Sequence, residues 1–348
     1  MPPAGMPLDN RAPDNAPDNR APDAATVREI VREAYETREK GGKRAAEHKP
    51  GRRVAIVTLY NESIAPYAVW SNACVRLYAA EHGYALITVE RLLSSRAPQW
   101  DKVKAISELL NDGEAAASYD YFMWIDADAA FSNLHQPLLE TVIDPYMNQD
   151  GDPRDFLICD DSPQAAGGEG STPEGLIRCN TGTFVVRSCP WAREFAKIWW
   201  ETPMGLEHTP YHEQAVLDNL YAAGLYELRK RLVLVPARVL NSAYGELPKR
   251  HWQKNSAHDT FVVHMMARNS YDRKNVFRDI FKHLTETSTL PSNSVDLPAK
   301  FEHFSNVEIT DPGASRLPWT IVLFIAFFFV AVALLIWGRY RRYQKKNI

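Results

Sequence analysis

The sequence predicts a three-layer α/β domain built on a mostly parallel sheet, followed by one C-terminal membrane-spanning helix. Three observations predict it. Short β-branched runs alternate with helical stretches from Arg53 onward. Several of those runs are apolar throughout, as strands covered on both faces are. Near the end of the chain, residues 318–337 form an uninterrupted apolar segment without charge.

The elements follow in order. Residues 1–23 repeat Asn-Arg-Ala-Pro-Asp with small variations, and such a Pro/Asp/Asn tract has too little apolar surface to offset the entropy of ordering it. Residues 24–50 form a charged helix or stalk, with Val27, Ile30, Val31 and Tyr35 on one side. The domain spans 51–284. VAIVTLY (54–60) is a strand, and Pro66 opens a helix that Gly83 ends. ALITVE (85–90) is a second strand and 100–111 a second helix; YDYFMWI (119–125) is a third strand. FLICD (156–160), TFVVR (183–187), VLVP (233–236) and TFVVHM (260–265) are further strands, with helices from near Pro190, Tyr211 and Asp272.

A Ser/Thr/Pro/Asn-rich linker at 285–316 leads to the helix at 317–337 and a basic tail at 338–348. The terminal segment reads as a bilayer span because it is apolar on all sides, flanked by Trp319 and Trp337 and followed by RYRRYQKK. The basic tail favours a cytosolic C-terminus and hence a lumenal enzyme domain. The lack of an apolar signal near Met1 favours the opposite, and both topologies stay open.

A net charge of −3 with interspersed signs excludes a general nucleic-acid binder. Cys74, Cys159, Cys179 and Cys189 form no C-x-x-C pair, which excludes a zinc ribbon or a thioredoxin-like site. They read as buried thiols, with two disulfides as the alternative in a lumenal domain.

The chemistry centres on Asp126, Ala127 and Asp128. Residues two apart on a strand point to one side, so the two carboxylates can address one hard divalent cation and, through it, a substrate diphosphate. Apolar residues precede and follow the pair, and two enclosed carboxylates repel unless a cation or a proton joins them. A phosphatase-type D-x-D-x-T/V nucleophile is disfavoured by Ala130.

Five ordered blocks carry a family resemblance. They are SNACVRLYAAEHGY (71–84) with Trp100 and Lys102, WIDADAAFSN (124–133), NTGTFVVRSCPWAREFAKIWWE (180–201), HEQAVL (212–217) and FVVHMMA (261–267). Together they resemble glycosyltransferase family 34, the galactosyl-, mannosyl- and xylosyltransferases.

The resemblance implies a GT-A-like nucleotide-diphospho-sugar transferase fold and a retaining transfer of a hexose or pentose. The partners it implies are a UDP- or GDP-sugar donor and a glycan acceptor, with Mn2+, or another divalent cation such as Mg2+, as cofactor. Asp126, Asp128 and His264 would be the metal ligands. Thr58, Leu59 and Tyr60 would meet the nucleotide, and Lys102 the diphosphate or sugar. Asn180, Thr181 and Gly182 would approach a sugar, unless they are simply a turn before a strand. Asp160 and Asp161 are candidates for sugar hydroxyls.

Glu213 and Gln214 would lie on the β face of the donor as the catalytic pair. Glu213 alternatively complements a helix dipole. The family's Gly after the His block is Ala267 here, and Arg268 stands where the resemblance implies a basic residue, one that would bind the nucleotide sugar and neutralise the leaving diphosphate. The resemblance further implies a Golgi or related endomembrane location, while the apolar segment at 317–337 itself makes a lipid bilayer the expected partner. The rival expectation from another class is an inactive, tail-anchored scaffold with a transferase-like fold.

Overall fold

The computed structural model describes residues 22–40, 52–148, 154–161, 178–202, 211–243, 260–266, 268–290, 297 and 299–309. The Pro/Asp/Asn repeat, the apolar segment at 317–337 and the basic tail fall outside them. Among the described residues no helix is long and apolar enough to cross a membrane. Two compact units divide the chain, Met1–Val307 and Glu308–Ile348, and the first holds every element below.

The first unit is an α/β fold on a six-stranded mixed sheet. Its strands are β1 (Val54–Leu59), β2 (Ala85–Val89), β3 (Tyr121–Ile125), β5 (Phe156–Asp160), β6 (Cys179–Arg187) and β7 (Leu232–Pro236), in the order β2-β1-β3-β6-β5-β7. The predicted parallel arrangement holds for five strands, while β6 runs antiparallel to β3 and β5. Sequence pattern does not report strand direction: a strand buried on both faces reads as a continuous apolar run whichever way it points.

A second, three-stranded sheet went unpredicted. In it β4 (Ala129–Phe131) pairs antiparallel with β9 (Val262–His264), and β9 pairs parallel with β8 (Ser242–Ala243). β9 falls within the predicted strand 260–265, whereas β4 and β8 are too short to show a period.

Alternate residues of each central strand enter opposite apolar layers. Ile56, Met123 and Ile125 join one layer; Ala55, Val57 and Trp124 join the other. The first layer is covered by α2 (Ala65–His82) and α6 (Ser270–Thr287), the second by α1 (Ala24–Glu36), α3 (Asp101–Asn111), α4 (Pro190–Glu201) and α5 (His212–Ala222). Gly83 ends α2 at φ 72°, a left-handed value that glycine adopts without a Cβ penalty.

Local departures have local causes. The charged helix stops at Glu36, where the Thr37 hydroxyl donates to the Glu33 carbonyl, and Glu39 bridges to Leu86 instead of continuing it. The predicted helix at 100 begins as a 3-10 turn, Pro98–Trp100. The predicted linker at 285–316 contains a helix, Ala299–Ser305, whose Phe301 ring lies 4.9 Å from Trp70 of α2. All four cysteines are free thiols. Cys159 and Cys179 sit in opposite layers, so their side chains point away from each other.

Candidate active site

The site forms where β3 ends. Backbone Asp126 N–H donates to the Gly182 carbonyl (2.8 Å) and Ala129 N–H to the Asp126 carbonyl (2.9 Å), so the chain turns at the acidic pair and enters β4. Ser71 of α2 steadies this turn by donating to the Ala127 carbonyl at 2.6 Å.

The second sheet then brings in the distant partner. Ala129 stands opposite His264, and Met265 N–H donates to the Asp128 carbonyl at 2.8 Å. His264 Nε2 consequently lies 3.1 Å from Asp128 Oδ1. Asp126, Asp128 and His264 each offer one ligand atom within 4.8 Å of the others. Two carboxylate oxygens and an imidazole nitrogen are a donor set suited to a hard or borderline divalent ion. Three protein ligands leave positions for phosphate oxygens, so the residues present fit a metal.

The run Asn180-Thr181-Gly182 connects the rest of the site. It is no turn; it lies inside β6, where the register shifts between Ile158 and Cys159 of the neighbouring strand. Asn180 Oδ1 accepts from Gly182 N (2.9 Å) and Asn241 Nδ2 (2.7 Å), and its own amide group donates to Asp161 (3.3 Å). The Thr181 hydroxyl donates to Glu213 Oε1 (2.7 Å), its N–H to Gln214 Oε1 (3.3 Å), and its carbonyl accepts from Lys102 (3.2 Å). Gly182 lies against the His264 ring: a Cβ there would stand 2.5 Å from Nδ1 and closer still to Cε1.

Two cations face the acids. Lys102 Nζ lies 2.9 Å from Asp126 and 3.3 Å from Glu213. Burial opposes its charge, but the two carboxylates outweigh burial and raise its pKa above the ordinary lysine value. It is therefore no solvated helix lysine. Arg273, from the first turn of α6, lies 2.7 Å from Asp128 Oδ2 and donates to the Tyr67 hydroxyl (3.3 Å) and the Met265 carbonyl (3.3 Å). Burial works against ionised Asp128 as well, but His264, Arg273 and Lys102 outweigh it and hold the carboxyl well below the usual range.

Glu213 is 2% exposed, and burial raises its pKa, with Lys102 opposing that shift. Its second oxygen has no hydrogen-bond partner among the described residues. His212 before it takes φ 37°, strained for a residue with a Cβ, and this turn lets both Glu213 and Gln214 reach Thr181. Glu213 stands in the first turn of α5, so it also complements the helix dipole.

Thr58, Leu59 and Tyr60 are buried where β1 ends, with Val57 of the same strand opposite Trp124 of β3. Arg268 is exposed, with its backbone N–H on the Met265 carbonyl (3.2 Å), and Ala267 lies outside the described residues.

Sequence reasoning missed Tyr67, Ser71, Asn241 and Arg273. For Arg273 a signal existed. A basic residue in a helix's first turn opposes the macrodipole and calls for a nearby acid.

Comparison with solved structures finds similar chains. A glycosyltransferase involved in glycosylation of the major capsid of PBCV-1 shares 19% identity over 65% of this chain and 99% of that one, with a TM-score of 0.49. The glycosyltransferase GlyE of Streptococcus pneumoniae TIGR4 shares 13% identity over 74% of this chain and 66% of that one, at 0.42. The galactosyltransferase LgtC, crystallised with donor and acceptor sugar analogues, shares 13% over 72% of this chain and 99% of that one, at 0.40. No curated protein matches the sequence. Residues 171–274 match the model of the galactosyl transferase GMA12/MNN10 family, a stretch holding Asn180–Gly182, Glu213, Gln214, His264 and Arg273 but not Asp126 or Asp128. Over that stretch, which is less than half of the chain, the protein is similar to the galactosyl transferase GMA12/MNN10 family.

Proposed function

We propose that this chain is a metal-dependent, retaining glycosyltransferase with a GT-A-like fold, moving a hexose or pentose from a UDP- or GDP-sugar to a glycan acceptor. The observation that carries the reading is the convergence of Asp126, Asp128 and His264 from β3 and β9 to within 4.8 Å. Mn2+ is the cation proposed, with Mg2+ as its alternative. Bound there, it would supply positive charge to the departing diphosphate.

The chain's own residues do the rest. Glu213 acts through others: with Lys102 and Thr181 it fixes Asp126 and the Asn180-Thr181-Gly182 run in place. Gln214 is less buried than Glu213 and belongs to the donor's β face in this reading. A glutamine is too weak a nucleophile for a covalent intermediate, so a front-side, ion-pair-like displacement is the proposed route. Preorganised dipoles around Thr181 would stabilise the developing charge. Residues 317–337 are proposed as the membrane anchor and the Golgi or related endomembranes as the location.

The full chain, incubated with Mn2+ and a panel of UDP- and GDP-sugars, tests the activity. Transfer or hydrolysis of at least one donor is expected, and Asp128→Asn lowers it by about 100-fold or more. Absence of any bound or hydrolysed sugar nucleotide, or an unchanged Asp128→Asn variant, defeats the proposal.

A further inference from the structure

Two pairs of neighbouring residues have one member on the acidic turn and the other on a single distant element. On α2, Ser71 donates to the Ala127 carbonyl at 2.6 Å, while the Trp70 ring lies 4.9 Å from Phe301 and 6.0 Å from Phe281 of α6. In the first turn of α6, Arg273 lies 2.7 Å from Asp128 Oδ2, while Lys274 Nζ donates to the Val307 carbonyl at 2.5 Å. Trp70 and Lys274 thus both meet the helix Ala299–Ser305 and the residues that follow it to Val307.

That element is fastened onto the α2/α6 pair. Phe301 and Phe304 pack against the apolar layer those helices cover, and the Phe301 ring also stands 6.1 Å from Phe281. At the far end of the two helices, buried Glu81 accepts from the Ser288 hydroxyl (2.9 Å), the Thr289 N–H (3.2 Å) and the Thr289 hydroxyl. The chain is therefore tied to α2 where α6 ends, and tied again to α6 near its start. Lifting the helix away takes the Phe301 ring from Trp70 and the Val307 carbonyl from Lys274, one residue from Ser71 and one from Arg273. Metal-ligand distances tolerate only about 0.2 Å, so a small shift of the turn held by Ser71 and Arg273 is felt as affinity.

We propose that the helix Ala299–Ser305 and its continuation to Val307 form a strap whose docking is coupled to metal binding at the acidic turn. The inference rests on the proposed metal site. The strap is a positioning element: it acts through Trp70 and Ser71 on one side and through Lys274 and Arg273 on the other. Such coupling is reciprocal, so whatever factor the docked strap adds to metal affinity, the bound metal adds to docking. A strap that only covered apolar surface would stabilise the fold and leave ion affinity alone. The catalytic unit accordingly runs to Val307 and does not end with α6.

The test titrates the full chain with Mn2+ and measures amide hydrogen exchange across 301–307 with and without saturating Mn2+. Phe301→Ala is expected to lower Mn2+ affinity about 5- to 10-fold, the scale of coupling between linked sites. Phe301→Leu keeps much of the apolar volume and is expected to recover part of that loss. In the parent chain Mn2+ is expected to slow exchange across 301–307 by a similar factor, a measurement that needs no variant. Ile30→Ala, a truncation in the opposite apolar layer, is the control; it is expected to lower the thermal midpoint and keep Mn2+ affinity within about twofold. Three results overturn the coupling and leave the proposed function standing: unchanged Mn2+ affinity in folded Phe301→Ala, exchange across 301–307 indifferent to Mn2+, or an equal loss of affinity in Ile30→Ala. A parent chain that binds no Mn2+ overturns the proposed function together with the coupling.

Discussion

Replacing Gly182 by alanine adds one methyl group at the tightest point of the site. The added Cβ would stand 2.5 Å from His264 Nδ1 and 3.0 Å from Asn180 Oδ1. Ordinary carbon contacts are about 3.5–4.0 Å, so the ring must retreat by about 1 Å or β6 must move by as much. Neither neighbour is the loose end of a flexible chain: His264 is 4% exposed in β9, and Asn180 is held by Asn241 and Gly182 itself. Overpacking of this kind costs about 1–3 kcal/mol. The effect on metal binding is the sharper measurement, because ligand distances tolerate only about 0.2 Å. A shift five times that size is expected to lower Mn2+ affinity by about 10- to 100-fold, read by calorimetric titration on protein shown folded by its thermal transition. Gly113→Ala is the control, since a Cβ there meets nothing within 4 Å. A folded Gly182→Ala chain that binds Mn2+ within twofold of the parent would falsify the placement of His264 as a ligand.

Two further outcomes follow from buried charge. Lys102→Met leaves Glu213 buried with the Thr181 hydroxyl alone, and losing one partner of a buried pair costs about 3–5 kcal/mol. Because a protonated Glu213 sheds the stranded charge, the deficit is expected to be larger at high pH than at low pH. Adding Glu213→Gln should restore much of it in thermal unfolding; a double variant no more stable than Lys102→Met counts against this pairing. Asp218 accepts from the Cys179 N–H (3.1 Å) and thiol (2.9 Å), yet burial pushes its carboxyl up from 3.8 to about 6. A carboxyl with a raised folded pKa holds its proton longer in the native state, so stability falls as pH rises from about 4 to 6. The loss amounts to about 2–3 kcal/mol. Asp218→Asn should be as stable as the parent near pH 4 and more stable above pH 6, and parallel stability profiles would rule this out.

The sequence by itself determined the order of the six main-sheet strands and of the longer helices that cover them, because buried runs and amphipathic faces are local patterns with a period. It also placed Asp126 and Asp128 at the end of a strand, but the turn between β3 and β4, not the two-residue repeat of a strand, brings the two carboxylates together. His264 was reached only through the resemblance of FVVHMMA to a family block, as nothing local distinguishes a ligand from a core histidine. Tertiary structure decided the remainder. The direction of β6 and the existence of the β4-β9-β8 sheet depend on pairings between distant segments. Those pairings set His264 opposite Ala129, Gly182 beneath the imidazole, and the Asn180-Thr181-Gly182 run at the centre of a hydrogen-bond network. The partners of Lys102 and Arg273 were likewise set by tertiary structure. Both are cations near the start of helices, and among the described residues Lys102 meets Asp126, Glu213 and the Thr181 carbonyl while Arg273 meets Asp128, Tyr67 and the Met265 carbonyl.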